Sequence, residues 1–125
     1  MCLVEIMHLG VLERERSITA YKVFLHGRMV PDELIGPYCG RYPDKLVVGS
    51  GVVYEAEPSS FVALSYYGFH AFGDLKRAKV ELASWRSGVI VQVELFGRSL
   101  IGRLRGYKDC ICYASHQMVL TETVI

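Results

Sequence analysis

The chain has 125 residues, of which 51% are hydrophobic and 22% charged, with a formal net charge of +1. That length suits one domain, 1–125, and leaves no room for two. The composition excludes a disordered chain, which needs low hydrophobicity with high net charge, and the near-zero balance gives no general pull toward nucleic acid or anionic lipid.

In chain order, period-2 runs rich in Val, Ile, Tyr and Cys dominate, separated by Gly and Pro. Residues 2–7 read as a strand, 11–16 as a short helical turn, and 18–26 as a longer strand. Gly27-Arg28 then reads as a hairpin turn into Met29-Val30. Residues 31–43 hold three prolines and two glycines and read as an irregular loop. Residues 45–48 and 52–56 are strand-like around a Gly49-Ser50-Gly51 turn, and the apolar run 61–67 leads into Gly68.

One helix is expected over 74–87. Asp74 is its N-cap, Leu75, Ala78, Leu82 and Trp85 form its apolar stripe, and Gly88 closes it. The strongest strand follows at 89–96, where Val89, Val91, Val93 and Leu95 alternate with Ile90, Gln92, Glu94 and Phe96. Further strands are read at 100–104, 108–114 and 118–125. Strands, then a helix, then strands argue against a doubly wound parallel sheet. The expected class is α+β and β-rich, with two small, mainly antiparallel sheets and the helix on a flank.

The cysteines are Cys2, Cys39, Cys110 and Cys112. Cys110 and Cys112 share a strand face at a spacing unsuited to a disulfide, so the usage reads as reduced and cytoplasmic. A lone C-x-C with no matching pair predicts no metal site. Residues 1–10 lack the pattern of a secretory signal, and no run approaches the roughly 18 apolar residues of a membrane span. Between residues 76 and 108, eight bases stand against Glu81 and Glu94, a net of +6 that leaves −5 elsewhere. This fits a solvated face, or else a nucleic-acid site on Arg98, Arg103, Arg105 and Lys108, although no known binding motif accompanies them.

No nucleophile elbow, zinc motif or phosphate loop is present. Four segments carry more meaning together. They are Phe24-Leu25-His26-Gly27-Arg28, Gly68-Phe69-His70-Ala71-Phe72, the apolar strand running to Gly97, and the strand from Lys108 to Tyr113 with Gln117 after it. In that order they resemble the core of the diphtheria-toxin-like and PARP-like ADP-ribosyltransferases. In that family a strand ending in His-Gly precedes a G-I-Y-F-A strand, an apolar strand ending in Gly, and an E-Y-I-V-Y strand. The resemblance implies NAD or a related nucleotide as cofactor. His26 and Gly27 would lie at a ribose, Phe69 or His70 at nicotinamide, and Asp109 would be the carboxylate facing the oxocarbenium-like ribose.

Asp109 is one methylene shorter than the family's glutamate, and His70 replaces its tyrosine. Both departures fit a scaffold whose chemistry is altered or lost. Each residue also has a plain structural reading: His26 as a hairpin end, His70 as a hydrogen-bonded histidine between phenylalanines, Asp109 as an exposed strand-start charge. Glu94 is a rival carboxylate.

The run from Gly68 through Val-Glu-Leu-Phe-Gly at 93–97 to Gly106-Tyr107 also resembles uncharacterised small bacterial and phage proteins carrying V-x-L-W-G and G-Y-R-A-E words. That likeness brings no established activity; with the small size and the altered acid it motivates an alternative, a small non-enzymatic module binding a host protein, for which the loop 31–43 with its Ile35, Tyr38 and Tyr42 is a natural contact surface. Exposed sheet edges also allow a homodimer.

Overall fold

In a computed structural model of the chain, the described residues are 3–26, 34–35, 46–56, 64, 68–85, 88–104 and 111–124. Seven strands and one α-helix occur among them. The strands are β1 (Leu3–Leu12), β2 (Ile18–His26), β3 (Leu34–Ile35), β4 (Tyr54–Glu55), β5 (Phe69–Phe72), β6 (Gly88–Leu104) and β7 (Cys112–Thr123), with helix α1 (Leu75–Leu82) between β5 and β6. A 3₁₀ turn, Arg14–Arg16, joins β1 to β2.

The β-rich α+β class is as expected, but the strands form one antiparallel sheet instead of two. The reason lies in β6. The apolar strand expected to stop at Phe96 and the strand expected at 100–104 are one element of 17 residues. Gly97 bends it: its φ of +75° is open to glycine at little cost, and the register against β7 shifts between Phe96 and Ser99. Before the bend β6 pairs with β2, from Gly88 opposite Leu25 to Leu95 opposite Ile18. Beyond it the same edge pairs with β1, from Gly97 opposite Leu12 to Leu104 opposite Leu3. β7 accompanies the other edge along both halves, and likewise merges two expected strands.

The sheet also closes on itself. Gln92 of β6 lies beside Tyr21 of β2, Tyr21 beside Phe72 of β5, Phe72 beside Cys112 of β7, and Cys112 beside Gly102 of β6. The circuit returns to β6 ten residues from its start, the stagger that a small coiled, closed sheet requires.

Both faces are buried. On one, Val91, Val93 and Leu95 pack with Ala20, Phe24, Phe69, Ala71, Met118 and Leu120. This face is covered by the segment 46–56, which is tied down by Gly49 N–H to the Leu120 carbonyl at 2.9 Å and Ala56 N–H to the His116 carbonyl at 2.8 Å. The Tyr54 hydroxyl accepts from Val47 N–H at 2.8 Å. In that segment only Tyr54–Glu55 is a strand, less than was expected.

On the other face Val23, Ile90, Leu100, Phe72, Cys112 and Ala114 meet α1 through Ala78, with Leu75 and Leu82 partly buried beside them. Asp74 caps this helix as expected, accepting Lys76 N–H at 2.9 Å. The helix ends earlier than expected, at Leu82, and Gly88 begins β6 instead of closing α1. Trp85 falls beyond the helix, half-exposed, with its indole N–H 3.4 Å from the Glu81 carboxylate, and Glu81 itself is buried. The expected hairpin at 27–30 lies outside the described residues, as do nearly all of the 31–43 loop and the 61–67 run. Cys112 is fully buried, packed in the core with Val23, Phe72 and Ile90.

Candidate functional site

Two places in this fold hold residues with functional potential. The first is the crossing of β2, β5 and β7, where Phe69 and His70, two of the nucleotide-type residues, fall. Strand alternation sends Phe69 and His70 to opposite faces. Phe69 is 4% exposed and packs into the core beneath the 46–56 segment, while His70 is 2% exposed. His70 Nδ1 lies 2.8 Å from the Gly68 carbonyl, which can only accept, so Nδ1 carries a proton. The His70 carbonyl accepts from Lys22 Nζ at 2.6 Å. Lys22 is itself 7% exposed, with its ammonium 5.6 Å from the centre of the Phe24 ring. A buried ammonium of this kind is retained when hydrogen bonds and an aromatic face replace its water. Lys22 was missed in the sequence because it occupies an inward position of a strand whose other charges are absent. That inward position, between Ala20 and Phe24, was the available signal.

His26 ends β2 opposite Leu34, and its side chain lies outside the described residues, as do Gly27 and Asp109. β2 runs antiparallel to β5, so it leaves beyond the N-terminal end of β5. β7 enters at the other end, where Cys112 faces Phe72 and Gly73 N–H bonds the Ile111 carbonyl at 2.8 Å. Arg98 and Arg103 are five residues apart on β6 and therefore project to opposite faces, while Arg105 and Lys108 lie outside the described residues. Among the described residues no three His, Cys, Asp or Glu side chains converge as a metal would require, and no helix is long and apolar enough to cross a membrane.

The second place is β1. Its register against β6 jumps between Ile6 and His8, which makes Met7 an extra, bulged residue. Counting across that bulge, Ile6, Leu9 and Val11 share one face, opposite Gly102, Leu100 and Arg98. Ile6 is 43% exposed, Met7 49%, Leu9 53% and Val11 68%. Four large apolar side chains thus crowd one margin of the sheet. The core covers Leu100 beside them but stops short of β1. Among the described residues no strand pairs with the outer edge of β1. Beside this strand a cavity of about 60 Å³ is lined by His8, Gly10, Val11, Leu12, Ser99 and Ile101. It is far below the roughly 300 Å³ at which small-molecule pockets begin.

Reading 2–7 as an ordinary strand overlooked this margin. Its signal was compositional: apolar residues at neighbouring positions and Glu5 as the sole formal charge from Leu3 to Leu12.

No family model, curated protein or solved structure matches this chain. Among the described residues the fold is a small antiparallel β-sheet closed through β6 and β7, with α1 on one flank and no strand paired to the outer edge of β1.

Proposed function

We propose that this chain is a small non-enzymatic interaction module that binds a protein partner along β1. The observation that carries the reading is the exposure of Ile6, Met7, Leu9 and Val11 beside a strand edge that no strand pairs with among the described residues. An edge offers a row of backbone donors and acceptors, and adding a strand there supplies affinity from hydrogen bonds and specificity from alternate side chains. The test is retention on the immobilised chain of any protein from a bacterial extract supplemented with a tagged second copy. Leu9→Lys with Val11→Lys should abolish that retention while circular dichroism stays native. Unchanged retention by the double variant overturns the reading.

A second reading, an ADP-ribosyltransferase-like scaffold binding NAD or a related nucleotide, draws support from one observation. The described parts of the four segments that carry the resemblance, 24–26, 68–72, 89–97 and 111–117, fall on or against β2, β5, β6 and β7, the strands that close the ring. The burial of Phe69 and His70 supports the interaction reading better, because a stacking ring must offer a face to its ligand. Calorimetric titration with NAD separates the two. Saturable heat weakened by His70→Ala supports a nucleotide site, and absence of heat and of any thermal shift at millimolar NAD removes it.

A further inference from the structure

We infer that β1 is a detachable strand, which opens from the far half of β6 as one unit while the ring of β2, β5, β6 and β7 stays folded, whatever partner it binds.

β1 is held by backbone and by little else. Of its residues 6–12 none is buried, and none enters either core cluster. Among the described residues its one strand pairing is with β6. A segment held by ladder bonds with little apolar burial belongs to the low-stability end of a fold and opens before the rest. The ladder is itself interrupted, with register shifts between Leu3 and Glu5 and between Ile6 and His8, and each bulge disrupts it locally. The small cavity lined by His8, Gly10, Ser99 and Ile101 lies along the same pairing, so side-chain contact there is incomplete as well.

What β1 would leave behind is held without it. Beyond Gly97, β6 keeps β7 on its other edge, from Ser99 opposite Ser115 to Gly102 opposite Cys112. Leu100, Cys112 and Ala114 bury with Phe72 and Ala78 in a cluster that includes no described side chain of β1. Opening therefore costs a ladder and little of the core.

The connection to β2 can serve as the hinge. The Arg14–Arg16 turn buries no residue, and Glu13 before it offers no side-chain cap. Arg14 rests over the Phe96 ring, 5.6 Å from its centre, on the ring side of the Gly97 bend. That contact holds the turn in place while the strand swings. The strip of Ile6, Leu9 and Val11 is one surface only while β1 is closed. Opening withdraws it and bares the β6 edge from Gly97 to Leu104.

Hydrogen exchange of the wild-type chain, resolved by residue in NMR spectra, tests this directly. Successive amides of an antiparallel strand point to alternate edges. From Ser99 to Gly102, where β6 is paired on both sides, they therefore face β1 and β7 in turn. The β1-facing amides of β6 and the β1 amides bonded to β6 should share one low protection factor. It should lie about a hundredfold below that of the β7-facing amides and hardly change with urea, because opening exposes little surface. His8→Cys with Ile101→Cys places two thiols opposite one another beside the cavity. Oxidation of that pair should raise protection of the β1-facing amides about tenfold or more, and reduction should restore the wild-type pattern.

Equal protection of the two classes of β6 amide overturns the inference, because β1 then opens only together with the ring. A gradient of protection from Leu3 to Leu12 also overturns it, since that is fraying from one end and not release of a unit. So does a difference between the classes that survives oxidation of the cysteine pair. Retention of a protein through β1 is read separately with Leu9→Lys and Val11→Lys, so either result can fail without the other.

Discussion

Replacing Gly97 by alanine is expected to destabilise the protein by about 2 kcal/mol, and the structure divides that cost into two parts. Gly97 has φ +75°, where an L side chain pays about 1–2 kcal/mol from the contact of its Cβ with the backbone. A Cβ at this position would also lie 2.9 Å from Gln117 Oε1 and 3.3 Å from Gln117 Cγ. The Gln117 side chain can move aside, but its amide then releases the 3.0 Å hydrogen bond it donates to Glu55, an exposed contact at the low end of about 0.5–1.5 kcal/mol.

Gly51 isolates the first part, since it has φ +74° and a Cβ at that position would meet nothing within 4 Å. Gly51→Ala should therefore cost about 1–2 kcal/mol and no more. Urea unfolding followed by circular dichroism and by the fluorescence of Trp85 gives both numbers. A cycle of Gly97→Ala with Gln117→Ala should show a coupling of about 0.5–1 kcal/mol. Because Gly97 is where β6 passes from β2 to β1, Gly97→Ala should also speed hydrogen exchange at β1 amides more than at β2 amides. If Gly97→Ala proved as stable as the wild type, the bend would not need a left-handed residue, and the account of how β6 serves two strands on one edge would fail.

Two further substitutions probe other parts of the fold. Asp74→Ala should lose about 1 kcal/mol by removing the acceptor for Lys76 N–H, whereas Asp74→Asn should retain most of it, read as midpoints of urea unfolding. Lys22→Ala should cost about 2–4 kcal/mol, because it removes a buried four-carbon stem together with the donor to the His70 carbonyl. Lys22→Met, which keeps the stem and desolvates no charge, should recover at least half of that loss, and equal losses for the two would place the whole effect in the ammonium.

Much of the local structure could be read without coordinates. The bounds of β2, the Asp74 cap and the alternation in β6 follow from forces acting within a few residues: side-chain sterics, a capping carboxylate, and the two-residue period of a strand. The candidate site was less legible. Phe69 and His70 are rightly on a strand, but their burial depends on segments 46–56 and 111–115, both distant in sequence.

For the same reason the sequence pattern alone determined a β-rich domain with a helix after Asp74, and could not decide how many sheets it makes. A glycine after an apolar run looks like an end when read locally. Gly97 is a bend because β1 waits on one side and β7 continues on the other, and that pairing energy is collected only when the chain has folded. The exposure of β1 has the same origin. Its residues are as apolar as those of β6, and what separates them is that α1 and the 46–56 segment cover the ring and leave the margin uncovered. Periodicity along a chain reports which face a residue takes, while burial is settled by what the rest of the chain brings to that face.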